Sequence, residues 1–162
     1  MPKRGLPQRD MQRAREWSEH ILSAPKMAGV ARQEHIAKHL LQRSAIYAIG
    51  RQIGPPIKIG FSSKPVYRLT ELQVSSPEEL RFHLVCWLQD RSAASKIEAR
   101  CHAILRGDGR HIRGEWFNIT PDEAAKIIDR AALDIECRIV PHPQLIRRFP
   151  ASHDPLAGYF WI

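Results

Sequence analysis

At 162 residues, with 43% hydrophobic residues and a mean hydropathy of −0.37, the chain can hold one domain with a real core plus extensions; no apolar run approaches the ~20 residues of a membrane helix. The basic start MPKRGLPQRD lacks the apolar stretch of a signal peptide, so a cytoplasmic protein without a membrane partner is expected. A formal charge of +8 suits a polyanion such as nucleic acid, and three widely spaced cysteines without a C-x-x-C pair argue against a zinc knuckle or a disulfide framework.

The charge is uneven. Residues 1–43 hold nine Lys/Arg against four acids, residues 44–120 eleven against seven, and residues 121–162 five against six. Over 10–23, Met11, Ala14, Trp17, Ile21 and Leu22 recur at helical intervals. A second helical stretch, 27–42, sets Val30, Ile36, Leu40 and Leu41 on one side and Arg32, His35, Lys38 and His39 on the other. Residues 1–43 therefore read as a basic helical arm or hairpin. His35 and His39 have metal-ligand spacing but no third ligand nearby, and read as a solvated helix face.

The period then changes. Ala45–Ile49 reads as a strand, Gly54-Pro55-Pro56 as a turn and Ile57–Gly60 as a second strand, together a hairpin. Ser62 or Ser63, with Pro65, starts a short helix through Val66, Leu69 and Leu72. Leu80–Leu88 is a third strand that takes Cys86 into the core. Asp90 or Ser92 opens a helix to about Arg106 with Ala94, Ile97, Cys101, Ile104 and Leu105 inward, ended by Gly107-Asp108-Gly109. Arg113–Ile119 is a compact strand-like piece. Thr120-Pro121-Asp122-Glu123 starts a helix to Leu133, with an N-cap, a proline at the first position and an acidic first turn. The expected fold is α+β: a small, mostly antiparallel three-stranded sheet flanked by helices over 44–135, with the N-terminal helical extension before it. Residues 136–162 form a tail rich in proline and aromatics, left without an element; its aromatics are expected to dock on the domain or a partner.

Ala45-Ile46-Tyr47 followed after ten residues by Lys58-Ile59-Gly60 resembles the paired motif of the GIY-YIG nuclease superfamily. Arg68, eight residues past Gly60, and Glu98, on the helix after the third strand, stand where that family places an arginine and a metal-binding glutamate. Gly114-Glu115-Trp116-Phe117, with His102 one turn after Glu98, is similar to a phage-type DNA-binding branch of the superfamily. Ala45 and Lys58 depart from its pattern, and Asn118 matches the family's asparagine only by position.

The resemblance implies a DNA endonuclease that hydrolyses phosphodiesters with one divalent cation, Mg²⁺ or Mn²⁺. Glu98 would be its carboxylate, Arg68 a phosphate clamp, and Tyr47 a group that orients or deprotonates water. A phenol needs a neighbouring cation to act as a base near neutrality, and Lys58 is the candidate. His102 either assists as a proton donor or closes the core edge. Each residue also has a plainer reading: Tyr47 as packing, Lys58 at a strand edge, Arg68 and Glu98 as an ion pair, and Glu115 paired with Arg113 or Arg68. Arg51, Lys64, Arg91, Lys96, Arg100, Arg110 and Arg113 are candidates for phosphate contacts. Two further readings are a DNA-binding module without cleavage and a regulatory factor that uses the N-terminal helices or the C-terminal tail as protein-partner surfaces.

Overall fold

Every residue of strand β1 (Ser44–Gly50) is buried, because this run of small and β-branched residues lies mid-sheet with both faces covered. The computed structural model describes residues 43–147 and 154–161; the expected helices over 10–23 and 27–42, with His35 and His39, lie outside the described residues. β1 pairs antiparallel with β2 (Ile57–Ser62) and with β3 (Arg81–Leu88). β2 pairs with β5 (Trp116–Phe117), which pairs with β4 (His111–Arg113); β6 (Val140–Pro141) pairs with β3. Among the described residues the sheet has six strands in the order β4-β5-β2-β1-β3-β6, all antiparallel. The α+β class stands, but the three-stranded sheet is corrected to six. Of the added strands, β5 lies within the strand-like piece Arg113–Ile119, whereas β4 and β6, three and two residues long, are too short to show an alternating pattern.

The side-chain alternation of β1 separates two cores. Ile46 and Ala48 face Ile57, Ile59, Cys86 and Phe117, under helices α2 (Arg91–Gly107) and α3 (Pro121–Asp134). Ala45, Tyr47 and Ile49 face the opposite way, with Phe82, Val85 and Trp87, toward α1 (Pro65–Val74), α4 (His142–Ile146) and Leu156. The inward residues expected on α2, Ala94, Ile97, Cys101, Ile104 and Leu105, are all buried.

Helix starts follow local chemistry. Asp90 accepts the Ser92 N–H at the start of α2. Thr120 and Glu123 form a reciprocal capping box at the start of α3, and such a cap contributes roughly 1 kcal/mol. α1 differs from expectation: its N-cap is Lys64, without a side-chain bond, and Ser62 Oγ instead accepts the Lys64 N–H at 2.9 Å.

The C-terminal segment joins the second core. Trp87 Nε1–H donates to His142 Nδ1 at 3.0 Å, and His142 Nε2–H donates to Asp154 at 2.8 Å. Phe82 N–H donates to Tyr159 O at 2.8 Å, Trp161 N–H returns a bond to Phe82 O at 3.0 Å, and the Trp161 indole donates to Gly50 O. Among the described residues no helix is long and apolar enough to cross a membrane.

Candidate functional site

β2 has a split outer edge. Its first residues, Ile57 and Lys58, pair with Phe117 and Trp116 of β5, and Ile59 N–H reaches Glu115 O at 3.3 Å. Beyond that point side chains of α2 take over. His102 Nε2–H donates to Ile59 O at 2.9 Å, and the Glu98 carboxylate accepts from the Phe61 backbone N–H. These four-apart residues lie on one face of α2 and close an edge that would otherwise leave peptide groups unpaired.

Tyr47 stands opposite Gly60 in the β1–β2 register. Its ring lies so close over Gly60 that a Cβ there would fall 2.6 Å from the phenol oxygen and 2.8 Å from Cζ. Glycine is therefore required by close approach, not by backbone freedom, and it lets the ring lie flat across β2. The phenol oxygen accepts a hydrogen bond from Arg68 of α1. Arg68 also bonds Glu71 at 2.7 Å, one turn along the same helix, and its guanidinium remains partly exposed.

Lys58 lies on the same face as Tyr47 and is buried, with its ammonium paired to Glu115. The expected division of labour is corrected here: Lys58 is spent on Glu115, the cation at the phenol is Arg68, and Glu115 pairs with neither Arg113 nor Arg68. Nor does the phenol become more acidic. Burial raises the Tyr47 pKa above its ordinary value and outweighs the bond and charge of Arg68. Arg68 and Glu98 do not form the ion pair considered from sequence, since Arg68 takes Glu71.

Burial, reinforced by the Glu115 charge, pushes the Glu98 carboxyl up to about 7, against the opposing pull of the Phe61 N–H and Lys58. Burial lowers the His102 pKa, so the ring is neutral at pH 7 with its proton on Nε2; it also packs on Phe117 at 5.0 Å between centroids. His102 therefore closes the core edge while touching the edge of β2.

The basic residues divide. Arg51 is committed to the β1–β2 turn, bonding Pro55 O and Glu78; Arg100 pairs with Asp134; Arg110 bonds Asn118 O and Glu123. Lys96 is exposed on α2, about 200° round the helix axis from Glu98. Three others border the site. Lys64 lies one turn before Arg68, Arg91 sits over the Phe61 ring at 6.0 Å, and Arg113 is two residues before Glu115 on an exposed hairpin strand. Asn118 is exposed, with its backbone N–H on Arg110 O.

Among the described residues no group of three or more His, Cys, Asp or Glu side chains converges as a closed metal cage. A hard cation that keeps most of its waters needs only one or two carboxylates, and Glu98 beside Glu115 fits that lesser requirement.

Residues 44–132 match the model of the T5orf172 domain. No curated protein and no solved structure matches the chain. The match corrects the resemblance to the GIY-YIG superfamily drawn from short motifs. Ala45 and Lys58 had already replaced two of its signature residues, and Lys58 is built into a different interaction, the buried pair with Glu115. The chain belongs to the T5orf172 domain family.

Proposed function

We propose that this chain hydrolyses phosphodiester bonds in DNA at the edge of β2, with a divalent cation, Mg²⁺ or Mn²⁺, held by Glu98. The observation that carries this reading is the convergence of Arg68 on Tyr47, Lys58 on Glu115 and Glu98 on the Phe61 N–H around one short stretch of strand. When bound, the cation supplies Lewis acidity and charge neutralisation at the phosphate. The remaining work falls to the chain itself. Arg68 presents a planar guanidinium, already oriented by Glu71 and Tyr47, to a phosphate oxygen. Tyr47, held protonated by burial, donates its O–H to the phosphate or to the attacking water instead of acting as the base. Glu115 is held by Lys58 yet keeps its side chain 41% exposed, and we assign it the proton that leaves the water as the new P–O bond forms; the P–O bond to the departing oxygen breaks, and that oxygen takes a proton from solvent. His102 holds the strand edge in place. Lys64, Arg91 and Arg113 supply charge for backbone contacts, which carry affinity without sequence choice.

Cleavage of supercoiled plasmid and of a flapped oligonucleotide in Mg²⁺ or Mn²⁺ tests the reading. The wild type is expected to nick, and Glu98→Ala to lose at least ~100-fold in rate while keeping metal-free DNA binding. A pure wild-type protein that binds DNA but never nicks it, whatever the metal, overturns cleavage and leaves the second reading, a DNA-binding module without chemistry. That second reading draws on the commitment of Lys58 to Glu115 and on the raised Tyr47.

A further inference from the structure

Tyr67 is left out of the account above and is 63% exposed. On α1 the core face carries Pro65 and Leu69, with Val66 and Leu72 packed beside them. Lys64, Tyr67, Arg68 and Glu71 follow at i, i+3, i+4 and i+7, so they share the outer face. The exposed ring therefore lies on the same side of α1 as Lys64 and the arginine that touches Tyr47.

The other side of the β2 edge repeats the pairing of an apolar group with a cation. In the β4–β5 ladder His111 pairs with Phe117 and Arg113 with Trp116, so Ile112 has no partner in the ladder and is 53% exposed. Such irregularities re-aim a side chain. The hairpin is held to the site through Glu115, by the Lys58 pair and by the bond from Ile59 N–H. The site is thus bordered by a ring beside Arg68 and Lys64 and an aliphatic group beside Arg113.

Intact duplex hides the faces of its bases and offers a protein phosphates and groove edges. An exposed ring beside a phosphate-binding arginine gains little from it. An unstacked base offers a π-face to such a ring, whatever its sequence. We infer that the substrate class of this site is DNA with an unpaired nucleotide next to the scissile phosphate, such as a flap, a single strand or a frayed end, with that base stacked on Tyr67. This rests on the reading of the β2 edge as a phosphodiester site.

Binding in EDTA tests it without requiring cleavage. Fluorescence anisotropy would compare a flapped oligonucleotide with a blunt duplex of equal length, using the wild type, Tyr67→Ala and Tyr67→Phe, with 2-aminopurine as the first unpaired base. The wild type is expected to bind the flap about tenfold more tightly and to alter the 2-aminopurine emission. Tyr67→Ala removes both effects, whereas Tyr67→Phe keeps both; the salt slope stays the same in all three. Equal affinity for flap and duplex, equal weakening of both by Tyr67→Ala, or no effect of Tyr67→Ala (the result if Tyr67 serves a protein partner) overturns the inference. Flap preference without nicking in metal sinks the cleavage reading and leaves only the stacking of an unpaired base on Tyr67 standing; nicking with no flap preference does the reverse.

Discussion

At the scale of the residue, the site depends on what burial does to charge. Glu98 sits in a place that disfavours its ionised form, and its carboxyl titrates near 7 instead of the ordinary carboxylate range. Because the folded-state pKa lies above the unfolded one, the group stabilises the fold relatively when protonated. That contribution is present in full below about pH 4.5 and is lost as pH rises through about 7. In metal-free buffer, Glu98→Gln should therefore raise the melting temperature relative to wild type at pH 8, by the equivalent of roughly 1 kcal/mol after allowance for solvent screening of a half-buried group. It should make little difference at pH 5. A melting difference that is equal at both pH values would show that ionisation of Glu98 is not what the substitution relieves. Lys58 makes a related point. A buried ammonium held by one carboxylate is costly to leave alone, so its pairing with Glu115 follows as soon as the strands are in register.

At the scale of the element, β2 is the piece to which the site is attached. It alternates Ile57 and Ile59 toward one core with Lys58 and Gly60 toward the other, and its outer edge changes partner halfway along. Gly60 is the position where packing between β1 and β2 leaves no spare volume. Gly60→Ala is expected to cost ~1–3 kcal/mol in urea unfolding, the usual range for overpacking, and to push the Tyr47 ring off the strand. Nicking should fall well below what that lost stability explains at a temperature where the variant is still folded. A folded Gly60→Ala protein with wild-type nicking would mean that the phenol has no part in the chemistry. At this scale much was legible in advance. The hairpin, α2 with its five inward residues and the Thr120 start of α3 follow from periodicity and capping, which act within a few residues. β5 falls inside the strand-like piece read over Arg113–Ile119, but β4 and β6 were not legible as strands, since they exist only through pairing with β5 and β3.

At the scale of the whole molecule, the C-terminal segment completes the second core. Leu156 is buried, Phe160 packs beside Phe82 and His142, and the hydrogen bonds of residues 159 and 161 flank Phe82. A chain ending at Arg147 is expected to lose ~2–4 kcal/mol, from the apolar area of Leu156 and Phe160 alone, and to unfold at a lower urea midpoint. An unchanged midpoint would contradict the docking of this segment.

The residues themselves determined the central hairpin, the helix starts and the excess of positive charge, together with the candidate group of Tyr47, Lys58, Arg68, Glu98 and His102. The hairpin, the helix starts and the charge rest on local pattern and composition; the candidate group rests on the motif resemblance. Tertiary structure alone decided who touches whom. Arg68, not Lys58, reaches the phenol, and Lys58 goes to Glu115, 57 residues away. Glu98 and His102 serve the open edge of β2. The reason is physical: sheet register, desolvation and the competition of several cations for a few acceptors are set by distances across the fold, and spacing along the chain does not encode them.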